Sequence, residues 1–328
     1  MSPLFHRRSE EEKAADRAAA EVRREDDERS RERSAASLEQ IEAGHIPLAA
    51  AERLAQFAHP GAAPAPFSSD LAVNEWSALS RLGVTPITQV MGSSIYHVGW
   101  QPVYYNVPTE VQVLSDAYNE SRRLALGRLR EEAEACAADA VVAVRIERGG
   151  HDWAAGAVEF IAFGTAVRLP EQLRQPGAEA LLSDLSAQEF ALLCNAGYMP
   201  VGIAAHTSVH YIPASIQTQQ AQSSFGGAFG GPGGSWANQE LRDFSQGVYE
   251  AREKAMYFVA GQVHALSGDG VIGVEISQHA RTHAVRRGMY ESRDLEVTFH
   301  VMGTVVREDP ALASTPPQPP PLQILSLR

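Results

Sequence analysis

The stretch DLAVNEWSALSRLGVTPITQVMGSSIYH, residues 70–97, aligns without a gap on DLSAQEFALLCNAGYMPVGIAAHTSVHY, residues 184–211. The displacement is a constant 114 residues. It superposes Asp70 on Asp184, Glu75 on Glu189, Trp76 on Phe190, Gly83 on Gly197 and Pro86 on Pro200. Each match has a physical cause. Ser186 and Glu189 are spaced for a reciprocal capping box. Leu79 and Leu193 follow Trp76 and Phe190 at helical spacing, and Gly83 or Gly197 supplies the left-handed residue that ends a helix. Both stretches predict a short helix, a glycine stop and an extended segment after the proline.

A second match lies farther along at a displacement of 130 residues: ESRRLALGRLREEAEACAADAVVAVRI from Glu120 aligns with EAREKAMYFVAGQVHALSGDGVIGVEI from Glu250. Ala125, Leu129, Ala133 and Cys136 recur as Ala255, Val259, Val263 and Leu266, the spacing of a buried helical stripe. Both helices should stop near Asp139 or Asp269. The apolar runs Ala140 to Ile146 and Gly270 to Ile276 that follow have strand length. Each copy closes on a β-rich segment carrying Gly-Thr, at Gly164 and Thr165 and at Gly303 and Thr304. The chain is therefore expected to be α+β: two homologous small domains, each with helices packed on an antiparallel sheet, over residues 70–169 and 184–307, with a linker at 170–183.

The changes in displacement locate the differences between the copies. Copy two gains sixteen residues around Ser215 to Asn238, a glycine-rich run expected to be a disordered loop. It gains nine more between its last two strands, which predicts a longer hairpin. Residues 1–45 form a charged extension in which Ser9 to Glu42 has no apolar stripe and is either a solvated helix or disorder. Residues 46–69 read as a short amphipathic helix, Pro47 to Phe57, and a proline-broken linker. Residues 308–328 read as a polyproline-like tail.

Composition narrows the function. Twenty-eight basic residues against 40 acidic ones give a formal charge of -12, which disfavours nucleic acid and anionic lipid as partners. Met1 to Arg8 lacks the apolar core of an export signal, and no apolar run reaches spanning length, so a cytoplasmic protein without membrane contact is expected. Cys136 and Cys194 fall in helical runs and read as small buried hydrophobes. There is no phosphate-binding loop, no zinc-protease helix and no hydroxyl with an evident activating base. No catalytic residue and no cofactor is implied, and a noncatalytic assembly or interaction protein is expected over an enzyme, with small-ligand or metal storage or sensing as the alternative. Protein partners could engage the charged N-terminus, the glycine-rich loop or the proline-rich tail.

The paired segments ADAVVAVRI, from Ala138, and GDGVIGVEI, from Gly268, each follow an alanine-rich helix and precede a Gly-Thr strand. In this respect the chain resembles the YbjQ-like family, labelled heavy-metal-binding, in two tandem copies. The resemblance implies helix on antiparallel sheet and a ring assembly, described in that family as pentameric. It does not itself imply a metal activity. Gly92 matches the family's small residue after the first extended segment, whereas copy two carries His206 there, which would crowd a close backbone contact.

The metal reading rests on His206 and His210, and on His279 and His283. Four strand steps would separate His206 from His210 by roughly 13 Å unless a turn intervenes, a turn in the long hairpin could bring His279 and His283 together, and no third ligand is evident for either pair. The charged residues repeated in both copies are Glu120, Arg122 and Asp139, matching Glu250, Arg252 and Asp269. Glu and Arg two apart on a helix do not face one another, so these are expected to contact a neighbouring copy. The two aspartates, between helix and strand, are expected to accept backbone hydrogen bonds. Both faces of the closing strands are largely apolar, which favours self-association.

Overall fold

The computed structural model describes residues 10–58, 68–99, 105–149, 156–175, 177–222, 238–287 and 290–312. The linker expected at 59–66, most of the glycine-rich run and the tail from 313 lie outside them.

The N-terminal segment is a helix, α1 (Glu10–Glu42), whose residues 21–35 are exposed throughout. Helix α2 (Leu48–Ala58) buries Leu54 against the first copy. Copy one runs α3 (Val73–Leu82), β1 (Thr85–His97), β2 (Thr109–Glu110), α4 (Gln112–Ala135), β3 (Ala140–Gly149) and β4 (Ala157–Arg168). After a 3-10 turn at Glu171–Leu173, copy two runs β5 (Leu181–Leu182), α5 (Ala187–Asn195), β6 (Tyr198–Ile212), α6 (Ile216–Gln222), α7 (Arg242–Ala265), β7 (Gly270–Arg287) and β8 (Tyr290–Glu308).

The local signals act as read. Glu189 Oε2 accepts from the Ser186 N–H and Ser186 Oγ accepts from the Glu189 N–H, a complete capping box. In copy one Ala72 has no side-chain oxygen, so only the Glu75 half forms, with Oε2 accepting from the Ala72 N–H at 2.7 Å. Gly83, at φ 77, closes α3 in the left-handed conformation. Ala125, Leu129, Ala133 and Cys136 are fully buried against sheet one. Their counterparts Ala255, Val259 and Val263 are buried against sheet two, but Leu266 sits at the helix end and is partly exposed.

Each copy forms an antiparallel three-strand core in which its last strand lies between its first and its middle one. The sheet orders are β1-β4-β3-β5 and β2-β6-β8-β7. The middle strands carry the same bulge. Register shifts occur between Val142 and Arg145 and between Ile272 and Glu275, with Ala143 at φ 55 and Gly273, its counterpart 130 residues on, at φ 63. The hairpin β7–β8 extends to Arg287 and Tyr290, far beyond the β3–β4 turn. One expectation is corrected: the run from Ser215 does not begin as a loop. Residues 216–222 are helical because Asp243 accepts from the Ser215 N–H and the Thr218 hydroxyl, fastening that turn to the start of α7. Among the described residues no helix is long and apolar enough to cross a membrane.

Candidate assembly interface

Two small elements cross between the copies. β2 belongs to copy one but pairs with β6, and β5 leads into copy two but pairs with β3. They mark the ends of a seam in which each copy covers a free sheet edge of the other.

Helix α4 covers the edge of β6. The Val111 N–H donates to Val209 O at 2.7 Å, and Ser115 Oγ accepts from the Val209 N–H at 3.0 Å. Asn119 takes both backbone groups of Thr207, accepting from its N–H and donating to its carbonyl, each at 2.9 Å. Arg122 donates to Ala205 O at 2.9 Å and to Thr207 Oγ1 at 2.7 Å. Backbone groups on one side of a strand recur every two residues, or about 7 Å, while four helical residues rise about 6 Å. Ser115 and Asn119 therefore keep step with Val209 and Thr207. The next position falls short, and the long arginine side chain reaches the remaining distance to Ala205.

Arg122 is buried, and the three acceptors of its guanidinium, Thr207 Oγ1, the Ala205 backbone carbonyl and Asn119 Oδ1, are neutral. Burial, with the nearby Arg148 charge, draws its pKa down to about 10, so it stays a cation at neutral pH.

The segment 181–185 covers the edge of β3. The Leu181 N–H donates to Asp139 O and the Ser183 N–H to Val141 O; Ser183 O accepts from Val144 and Leu185 O from Ala143, all at 3.0 Å. The bulge at Ala143 is what turns two successive amides, those of Ala143 and Val144, toward this segment. The Gly-Thr motif anchors it from behind. Thr304 Oγ1 accepts from the Asp184 N–H at 3.0 Å, contacts Ser183 Oγ at 3.1 Å and donates to the Asp184 carboxylate. Burial pushes the Asp184 carboxyl up to about 6. Copy one repeats the arrangement, with Ser69, Asp70 and Thr165. The glycines are required by space: a Cβ on Gly164 or Gly303 would lie 2.8 Å from a methyl of Val141 or Val271.

A mixed apolar cluster also joins the copies, on the face of β3 opposite to α4. Leu79, Val142 and Val167 of copy one share it with Ala187, Phe190 and Met199 of copy two. Beside it Asn74 donates to Gln188, the residue at the same repeat position, at 3.1 Å.

Of the charged residues singled out from the sequence, Arg122 alone reaches the other copy. Within the chain Glu120 pairs with its i,i+3 neighbour Arg123 on its own helix. Glu250 accepts from Gln246, and Arg252 pairs with Glu253. Asp139 accepts from the Leu169 N–H at 2.8 Å and Asp269 from the Glu308 N–H at 2.7 Å, both holding a helix-to-strand turn.

The histidine pairs are not brought together. His206 stacks on Phe258 at 4.2 Å, and burial, reinforced by the Arg122 and Lys254 charges, lowers its pKa to about 4. His210 is buried farther along the same strand. His279 contacts Arg148 and His283 contacts Glu296. His300, not singled out from the sequence, lies 6.0 Å from His279 and bonds Thr207 Oγ1 through Nδ1. No group of three or more metal-ligating side chains occurs among the described residues. Ser115 and Asn119 were missed because only their place opposite a strand edge distinguishes them from solvated helix polars.

The seam leaves one edge of each sheet without a cover from another copy, although on β1 the chain's own α4 takes the Met91 N–H through Glu132 at 2.8 Å and the Ser93 carbonyl through Arg128 at 2.6 Å. β7 is the outer strand of sheet two, although it carries the same bulge as β3, and β1 is the outer strand of sheet one. Val144 on the covered edge is 2% exposed and its counterpart Val274 is 38% exposed. Val209 under α4 is 0% exposed, whereas Ile95, its counterpart in β1, is 57% exposed.

Comparison with known proteins agrees with this two-copy plan. A family model described as "Putative heavy-metal-binding", the YbjQ type, matches residues 73–170. The chain is 33% identical over 244 residues to an encapsulin nanocompartment protein of Mycobacterium tuberculosis, covering 74% of this chain and 86% of that relative. It is also 38% identical over 58 residues to a UPF0145 protein of Clostridium perfringens, found in two strains, covering 18% of this chain and 53% of the relative. No solved structure matches significantly. With one unit matched directly and a second repeating its helices, bulge and Gly-Thr anchor, the chain belongs to the YbjQ-like family and carries two of its units in tandem.

Proposed function

We propose that this protein is a noncatalytic, cytoplasmic assembly module that associates with further copies of itself. The observation that carries this reading is the edge of β7. It repeats the bulge that turns two amides of β3 outward, and it leaves Val274 exposed where Val144 is covered. An exposed edge strand is a template for pairing, and the first five residues of β7, Gly270 to Val274, carry no charged or polar side chain that would discourage a partner there. The Mycobacterium tuberculosis relative is named an encapsulin nanocompartment protein, and that name supports an assembling role here. A closed ring of five chains and ten units is the count that the family resemblance suggests, and closure alone requires only that the same junction repeat.

Size-exclusion chromatography with light scattering tests the reading. A mass that stays at two or more times 35.5 kDa across concentrations and salt levels is expected, with five chains as the specific value. A monomer throughout would overturn it.

A further inference from the structure

We infer that the junction between chains is a copy of the seam within the chain, with a second copy of this protein laying its residues 68–71 on β7 while its β1 edge receives α7. This rests on the assembly reading and names the surfaces that perform it. The argument is one of repetition. The seam has two halves, and each half has a counterpart at the opposite ends of the chain that no other copy covers; on β1 the Met91 N–H and the Ser93 carbonyl are held by Glu132 and Arg128 of α4, which leaves the Met91 carbonyl and the exposed Met91 and Ile95 side chains for a second chain.

On the strand side, 182–185 is largely buried against β3, while the corresponding residues 68–71 are exposed or half-buried. They already hold the conformation of their counterparts, because the Ser69, Asp70 and Thr165 hydrogen bonds reproduce those of Ser183, Asp184 and Thr304. Transferring the seam by one unit places Leu71 O on the Gly273 N–H, Ser69 O on the Val274 N–H and Val271 O on the Ser69 N–H. The bulge at Gly273, with its φ of 63, puts those two amides where Ala143 and Val144 have theirs.

On the helix side, α7 begins as α4 does. Val111 precedes α4 at φ -84, ψ 80, and Leu241 precedes α7 at φ -85, ψ 83. Ser245, Tyr249 and Arg252 stand where Ser115, Asn119 and Arg122 stand, and Tyr249 is 66% exposed. Their targets by the same transfer are Ile95, Ser93 and Met91 of β1. Met91 and Ile95 are exposed, whereas Ala205 and Val209, their counterparts, are covered. Both halves point the same way around: every unit offers its long helix and its bulged edge to the next, and its leading segment and first strand to the one before. Such a junction is heterologous, and a second copy satisfies both halves at once. No other occupant would match the strand register and the helix stripe together.

The test combines hydrogen exchange on the full-length protein with light scattering of Val274→Lys and Ile95→Glu. Both side chains are exposed in the single chain, so the substitutions leave the protomer folded. The expected result is a multimer in which the Gly273 and Val274 amides exchange at least about tenfold more slowly than in the dissociated chain, and from which each variant falls to a smaller mass. A multimer whose Gly273 and Val274 amides exchange like an open edge, or which both variants leave intact, overturns this junction while leaving self-association standing. A monomeric native protein overturns both. Circular dichroism of the variants confirms their fold, and exchange on the native chain decides the matter even where a variant misfolds.

Discussion

Gly92→Ala should destabilise copy one by about 3 kcal/mol, the upper end of the range for overpacking. Gly92 lies in the middle of β1 directly beneath α4. A Cβ built there would stand 2.1 Å from Ala125 O and 2.4 Å from Leu129 N, both backbone atoms of the helix. No side chain can rotate away to make room, so α4 must retreat by roughly 1.3 Å or more to reach ordinary contact distance. The retreat loosens the fully buried stripe Ala125, Leu129 and Ala133, and it also shifts Ser115 and Asn119 against the edge of β6. Urea unfolding followed by circular dichroism measures the cost. With a slope of roughly 3 kcal/mol per molar, the midpoint should fall by about 1 M. Copy two supplies the internal comparison: His206 occupies the matching position and has room to stack on Phe258, so α7 is not seated on backbone there. His206→Ala should therefore cost only about 1 kcal/mol, the scale of one aromatic contact. A Gly92→Ala variant that loses less than about 1 kcal/mol would refute the view that helix-to-backbone contact fixes α4 and, through it, the seam.

Asn119→Ala leaves the Thr207 N–H and carbonyl without their partner and should cost about 2–3 kcal/mol, with faster amide exchange localised at Thr207; unchanged exchange there would argue against the edge-capping role. Asp184 has a folded pKa near 6 against a usual value of 3.8, so the folded state holds the extra proton between those values. Its contribution is therefore present below pH 4 and lost as pH rises through 6, by at most about 3 kcal/mol. Asp184→Asn should remove that slope, and identical pH-stability profiles for the two proteins would contradict it. Calorimetric titration with zinc should give no saturable uptake at micromolar metal, because the four histidines singled out from the sequence sit on separate contacts; stoichiometric binding lost in His206→Ala or His279→Ala would reverse this.

The repeat, the order of elements, the buried helical stripe and the glycine stops were legible because each depends on short-range chemistry: a capping box, a 3.6-residue period, a positive φ. The crowding at Gly92 was also legible, through the contrast with His206. The seam was not. Ser115 and Asn119 look like ordinary helix polars until a strand edge from another unit lies beside them, and residues 181–185 look like a linker until β3 is there to pair with. Glu120 and Arg122 were grouped because both recur in copy two, yet recurrence does not say which way a side chain points. One pairs along its helix and the other crosses to β6. The helix at 216–222 was hidden for a related reason, since its anchor Asp243 comes after the glycine-rich run.

In the proposed assembly, joining two units in one chain makes one of the two seams intramolecular, and the two need not then be equally strong. Within the chain, Asn119 satisfies both backbone groups of Thr207 with one rigid amide. Tyr249 replaces it at the corresponding place, and its single hydroxyl cannot hold a strand's N–H and carbonyl together. The junction between chains must then rely on Ser245, Arg252, the main-chain bonds of β7 and the apolar area of Met91, Ile95 and Val274. The tether gives the inner seam a high effective concentration at any dilution, whereas the outer one depends on protein concentration. Dilution should accordingly split the assembly at the β7 edge and never between β3 and residues 181–185. The smallest species in light scattering would be a whole chain with a compact core. If diluted protein instead lost protection at Val144 and Ser183 before Val274, the inner seam would be the weaker one and the edge-capping argument would fail.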